Sequence, residues 1–195
     1  PSGGTVTLPE GTAGTDVSSE PESPPAPPQD EEPSAEPTPF VISFLGDCTL
    51  TSSHHTNHFE KLVGDDYAYP FSNVAELLLA DDLTLANLEC SFSPRRLESD
   101  SEYAFCGDPN YVQSLVQGGV EAVTLSNNHT RDFGDAGLRD TEAALAEYGV
   151  AGIPGNQGQC FELRHGNGDT LRLGAYVHPF NGSAKQMEDG CKRLR

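Results

Sequence analysis

The sequence has no tryptophan, one methionine and only 11 Lys+Arg among 195 residues. Set against 30 Asp+Glu, that gives a formal charge of −19. Binding nucleic acid requires a basic surface that displaces counterions from phosphates, so a general nucleic-acid role is excluded. Electrostatic docking on anionic lipid is excluded on the same ground. Without tryptophan there is no aromatic platform to support a simple sugar- or peptide-binding module. No run of about 18 apolar residues occurs, so the sequence contains no membrane-spanning helix signal. No Cys-x-x-Cys pair occurs either. The five cysteines (Cys48, Cys90, Cys106, Cys160 and Cys191) are scattered and odd in number. Neither a zinc knuckle nor a disulfide framework follows, and small buried thiols are the expectation. No secretion signal is visible and the first residue is Pro1 rather than Met, so the chain reads as a mature or trimmed piece of something longer.

What is present is unevenly distributed. Residues 1–39 hold ten of the fifteen prolines, eight acidic residues and no Lys or Arg. Such a segment buries too little apolar surface to offset its conformational entropy. Ser18 to Pro39 reads as an extended, charge-stiffened spacer, of the kind that holds a surface-tethered bacterial protein away from its membrane. A disordered terminus without a role fits the composition equally well. The remaining 156 residues carry 22 acidic and 11 basic side chains, enough chain for one core without disulfides.

Along that domain, Phe40–Leu45 reads as a buried strand stopping at Gly46-Asp47. Residues 46–70 read as irregular and contain His54, His55 and His58. Asn73 to Ala80 reads as a helix capped by Ser72, and Leu83 to Glu89 as a strand. Asp108-Pro109 opens a helix to Gln117. Val120 to Leu125 is a third strand, followed by Ser126-Asn127-Asn128-His129. A helix opens near Asp135 and closes at Gly149. Val150 to Ile153 is a fourth strand, and Gly166-Asn167-Gly168-Asp169 marks a hairpin between 160–164 and 170–177. From Asn181 no further element is expected. His165, before the hairpin turn, is expected at the surface. Alternating strands and helices define an α/β class with a partly parallel sheet.

Ligands in open α/β sheets sit beyond the carboxyl ends of the strands. Three strands here end in Asp47, Glu89 and Asn128-His129. Two carboxylates, an amide oxygen and an imidazole form the mixed oxygen and nitrogen set that binds hard or borderline divalent metals. A bridging carboxylate can hold two ions about 3.5–4 Å apart, clamping a phosphoryl or carbonyl oxygen and activating water. Each residue has a plainer reading: Asp47 as a turn cap, Glu89 as a solvated charge, Asn127-Asn128 as turn chemistry, His129 as structural. Their convergence favours the site.

GDCTL at 46–50, NLE at 87–89 and SNNHTRDFGDAGL at 126–138 resemble the CapA family, named for poly-gamma-glutamate capsule biosynthesis. FCGDP at 105–109 lies where that family has a Phe and then a Pro before a helix. The resemblance covers about residues 40–195 and implies a layered α/β sandwich like the calcineurin-like metallophosphatases. It implies that Asp47 binds one metal, Glu89 bridges two and Asn128 binds the second. His129 would act on the leaving group, Asp132 would orient His129 or close its loop, and Gly134 and Gly137 would allow the turn into the helix. The cofactors implied are two divalent ions, with Mn, Fe or Zn suitable. The partners implied are an anionic capsule polymer or a phosphate-containing envelope substrate, at a tethered extracellular surface.

The family carries further histidine motifs downstream, and none occurs here. The three loop histidines read as a solvated cluster, and His178, followed by Pro179, as a strand-end residue rather than a ligand. Residues 40–195 therefore read as the N-terminal portion of a longer domain, with an incomplete metal shell, little activity alone and an exposed apolar sheet face or edge. The competing reading is a non-enzymatic surface component that exports or anchors the polymer.

Overall fold

The structure, a computed structural model, describes residues 38–53, 56–95, 98–99 and 101–194. The spacer assigned to 1–39 lies outside these, apart from Thr38 and Pro39, as do His54, His55 and Arg96. In chain order the first elements are β1 (Ile42–Cys48), α1 (His58–Val63), α2 (Ala75–Leu78), β2 (Leu83–Leu88), β3 (Ser91–Phe92) and β4 (Cys106–Gly107). Then come α3 (Val112–Gln117), β5 (Ala122–Leu125), α4 (Gly134–Glu147), β6 (Ala151–Pro154), β7 (Gln157–Arg164), β8 (Thr170–Val177) and α5 (Ala184–Arg193). Single 3-10 turns occupy Tyr69–Phe71 and Pro109–Tyr111.

β1, β2, β5 and β6 form one sheet in that order, every neighbouring pair parallel. The order advances in one direction, and right-handed crossovers then carry the connecting helices to one face. The two cores follow from this. Ala86, Leu88, Val123 and Leu125 pack with Val112, Leu115, Ala144 and Leu145 from α3 and α4. The alternate residues Leu83, Leu85, Ala122 and Ile153 form a second core beneath the β7–β8 hairpin, with Phe161, Leu163, Leu173 and Val177. A strand covered on both sides needs a near-continuous apolar run, which β2 supplies as Leu-Thr-Leu-Ala-Asn-Leu. Pro154 lacks an amide donor and is accommodated because β6 pairs only with β5.

Several local expectations are corrected. β1 does not stop at Gly46-Asp47 but runs on to Cys48. Residues 46–70 contain α1 and a 3-10 turn. The helix expected over 73–80 is only Ala75–Leu78, and Ser72 does not cap it. Its hydroxyl donates back to Tyr69 O at 2.9 Å. The segment after Asn181 is not bare: α5 opens on a capping box between Ser183 and Gln186, an S-x-x-Q signal visible in the sequence. His165 is not a surface residue. Its Nε2 donates to Asp82 Oδ1 at 2.7 Å, its ring stacks on Phe40, and Asp82 Oδ2 accepts the Val41 amide at 2.7 Å. Of the expected apolar face or edge, the hairpin covers the face over β2, β5 and β6, while the β1 edge stays open among the described residues. On that face Phe44 of β1 stays 72% exposed.

Candidate functional site

The site grows from a row of polar residues across three adjacent strands. Asp47 on β1 lies opposite Asn87 on β2, and Asn87 lies opposite Thr124 on β5. The row owes its alignment to a bulge. Phe44 pairs with Leu85, but Asp47 rather than Gly46 pairs with Asn87, so β1 holds one extra residue between them. Strict alternation from Ile42 and Phe44 would give Gly46 that position. The extra residue re-aims Asp47, a common use of bulges beside functional sites. Asn87 Nδ2 donates to Asp47 Oδ1 at 2.8 Å, and Thr124 Oγ1 donates to Asn87 Oδ1 at 2.8 Å.

The loop after β5 joins this row. Asn127 Nδ2 donates to Asn87 Oδ1 at 3.1 Å and to Leu88 O at 2.8 Å. Asn127 Oδ1 accepts the His129 amide at 2.9 Å and the Thr130 hydroxyl at 3.3 Å. Turn chemistry in the Asn-Asn pair thus falls to Asn127, whose amide is fully engaged. Asn128 is left exposed. It lines a cleft of about 570 Å³ with Arg131, Glu142, Gln157 and Phe180.

His129 and Asp132 are in contact. His129 Nδ1 donates to Asp132 Oδ2 at 3.0 Å, and the same oxygen accepts the Phe105 amide at 3.1 Å. The Phe105 ring packs edge-on against the imidazole with centroids 4.9 Å apart. An ionised carboxylate only accepts, so a proton sits on Nδ1, the tautomer that in a neutral ring leaves the lone pair on Nε2. Gly134, at φ 61°, turns the chain into α4, while Gly137 is buried within the helix.

The five residues expected at the site all lie at or just beyond the carboxyl ends of β1, β2 and β5. Contacts join Asp132 to His129 directly, and Asp47 to the His129 loop through Asn87 and Asn127. The Glu89 amide donates to Cys48 O at 2.9 Å, extending the β1–β2 ladder by one residue. Among the described residues, no hydrogen bond engages Asp47 Oδ2, the Glu89 carboxylate or the Asn128 amide group. These uncommitted oxygens suit a divalent cation in kind. In number they fall short, since no three His, Cys, Asp or Glu side chains among the described residues gather as a metal cluster. Burial first, and Asp47 second, push the Cys48 thiol up to about 11. Burial likewise raises Cys90 to about 12 and Cys106 to about 11, so these sulfurs remain protonated at neutral pH. His58 is exposed at the start of α1. His178 enters through its backbone, its carbonyl accepting Ser126 Oγ at 2.9 Å.

Asn87, Thr124 and Phe105 take part here without having been singled out as site residues, and Asn127, read only as turn chemistry, also reaches across to Asn87. Asn87 and Phe105 do fall inside the NLE and FCGDP segments, but nothing in either segment discloses a hydrogen-bond partner on another strand.

The class that this architecture defines is the metallophosphatase-like α/β domain. The family model of the bacterial capsule synthesis protein PGA_cap matches residues 41–188, and the chain belongs to that family, as the CapA resemblance implied. An uncharacterized protein, y4sH, of Sinorhizobium fredii (strain NBRC 101917 / NGR234) is 28% identical over 137 residues, covering 64% of this chain and 27% of its own length. The probable polyglutamine synthesis accessory protein Rv0574c of Mycobacterium tuberculosis (strain ATCC 25618 / H37Rv) is 32% identical over 96 residues, covering 45% of this chain and 24% of its own. The chain therefore spans about a quarter of the length of these curated relatives.

Proposed function

We propose that this chain works in the synthesis of a bacterial capsule polymer of polyglutamate type, and that Asp47, Glu89 and Asn128 contribute ligands to a site for two divalent ions. The observation that carries this reading is the set of uncommitted oxygens beside a hydrogen-bonded His129–Asp132 pair, in a chain of the capsule synthesis family. Bound there, Mn, Fe or Zn ions would polarise a phosphoryl or carbonyl oxygen and activate water. The protein's own part is the imidazole. Asp132 holds the proton on Nδ1, so Nε2 is available to take a proton and, once protonated, to give it to a leaving group. Support for a tethered extracellular location comes from the acidic, proline-rich composition of residues 1–39 and from the family's capsule role.

The second reading is a non-enzymatic component that exports or anchors the anionic polymer. The small number of metal donors among the described residues favours it. The two are separated by assaying the full-length protein for hydrolysis of a model phosphodiester with added Mn²⁺ or Zn²⁺. Metal-dependent turnover that disappears in His129→Ala and Asn128→Ala supports the enzyme. Turnover unchanged in either variant refutes the assigned roles, and none in the wild type favours the anchoring component.

A further inference from the structure

We propose that Asn87 is a positioning residue that fixes the Asp47 carboxylate and locks it in register with the loop bearing Asn128 and His129. Asparagine is a poor strand residue, and β2 is otherwise apolar or fully buried, so its placement calls for specific hydrogen bonds. It makes three. Oδ1 accepts from Thr124 Oγ1 and from Asn127 Nδ2, at 2.8 and 3.1 Å. The Asn127 NH₂ on one side and the Asp47 carboxylate on the other decide the orientation of the amide, because the flipped group would set NH₂ against NH₂ and oxygen against oxygen. Nδ2 must then face Asp47, where it donates to Oδ1 at 2.8 Å.

The consequence is directional. Asp47 is an exposed carboxylate on an edge strand, with no other side-chain partner among the described residues. Alone it would sample several rotamers. Clamped at Oδ1, it offers Oδ2 in one orientation. The same Asn87 oxygen takes Asn127, whose Oδ1 in turn accepts the His129 amide. A displacement of the 126–132 loop therefore reaches Asp47 through one side chain, and a displacement of Asp47 reaches the loop.

The metal arm of the test rests on the proposed divalent site, and the exchange arm does not. In the full-length protein, Mn²⁺ affinity is measured by electron paramagnetic resonance, and hydrogen exchange of the Asn127 to Thr130 amides by mass spectrometry. Asn87→Ala is expected to weaken Mn²⁺ binding by about 10–100-fold, as loss of a residue that orients a ligand does, and to speed exchange in the loop. Thr124→Val, which removes one of the two donors to Asn87 Oδ1, moves both readouts the same way by less. It serves alone if Asn87→Ala fails to fold. Asp47→Ala weakens Mn²⁺ binding and speeds loop exchange by less than Asn87→Ala, because Asn87 Oδ1 keeps its bonds to Thr124 and Asn127. Wild-type Mn²⁺ affinity in Asn87→Ala, where Asp47→Ala has lost it, overturns the positioning role. If the wild type takes up no Mn²⁺, the divalent site falls and exchange decides: faster exchange in Asn87→Ala upholds the coupling, and unchanged exchange overturns it.

Discussion

Replacing Asp132 by alanine withdraws one carboxylate oxygen from two donors at once, the His129 imidazole and the Phe105 amide. The Asp132 side chain is 10% exposed and that of His129 18%, so water replaces the lost partner only in part. Orphaning a largely buried backbone donor costs about 1–3 kcal/mol, and losing the imidazole bond about 0.5–1.5 kcal/mol. The expected total is about 2–4 kcal/mol, which for a domain of this size lowers the melting temperature by roughly 4–15 °C. Asp135→Ala at the same helix entrance is the control. It breaks an ion pair to Arg131 between side chains 69% and 63% exposed, worth about 0–0.5 kcal/mol.

Asp132→Asn separates geometry from charge. Its single oxygen takes the place of Oδ2, which accepts both the Phe105 amide and the imidazole Nδ1–H, so both bonds are kept while the negative charge is lost. Its melting temperature is expected nearer to wild type than that of Asp132→Ala, and the ¹⁵N shifts of the His129 ring are expected to keep the proton on Nδ1. A melting temperature for Asp132→Ala within about 2 °C of wild type would defeat the stability argument. A wild-type ring carrying its proton on Nε2 would defeat the chemical one.

Gly190→Ala places a Cβ about 2.1 Å from the Tyr176 ring, whose hydroxyl is held by Asn156 Oδ1 and Gln186 O. Overpacking of about 1–3 kcal/mol is expected in urea titrations, and an unshifted midpoint contradicts the docking of α5 on the hairpin. Iodoacetamide at pH 8 should label the exposed Cys160 and Cys191 and spare Cys48, Cys90 and Cys106, whose burial raises them to about 11, 12 and 11. Peptide mapping that finds Cys90 alkylated in the folded protein counts against this. At low pH, Asp82 is held below its ordinary 3.8 by the Val41 amide and then by His165, and Asp140 by the Arg95 guanidinium and then the Ser93 hydroxyl. A folded value below the unfolded one gives stability that is complete above about pH 4 and lost as pH falls through the folded value. Asp82→Asn should flatten the acid limb of urea midpoints between pH 5 and 2.5, and a limb as steep as wild type would contradict the assignment.

The parallel sheet was legible because its strands carry apolar runs bounded by Gly, Asp and Asn, and the hairpin because Gly166 to Asp169 has the right turn chemistry. Short helices were legible in part: α2 is expected over 73–80 but holds only four residues, whereas α1, with six, is missed, since so few residues show little of a 3.6-residue period against loop composition. The candidate site was legible as residue types at strand ends, but not as a network. Its central member, Asn87, belongs to the NLE segment, but nothing local marks its role, since its partners lie 37 and 40 residues away. The bulge that carries Asp47 into register was equally hidden. Alternation read from Ile42 and Phe44 gives the wrong residue, and only pairing with β2 reveals the extra one.

Binding crevices in open α/β sheets usually form where strand order reverses and the loops on either side diverge. Among the described residues the order β1-β2-β5-β6 does not reverse, so these four strands alone open no such crevice. Geometry here is set by side chains instead. Asp47, Asn87 and Thr124 are tied across three strands, and Asn127 ties the loop to the middle one. A site assembled this way is as rigid as the sheet beneath it, yet it depends on single amides that no apolar residue can replace. Its weakest flank is β1, an edge strand whose register slips by one residue just before Asp47. If the proposed divalent site holds, a cation there meets in Asp47 a carboxylate already oriented from the β2 side by Asn87.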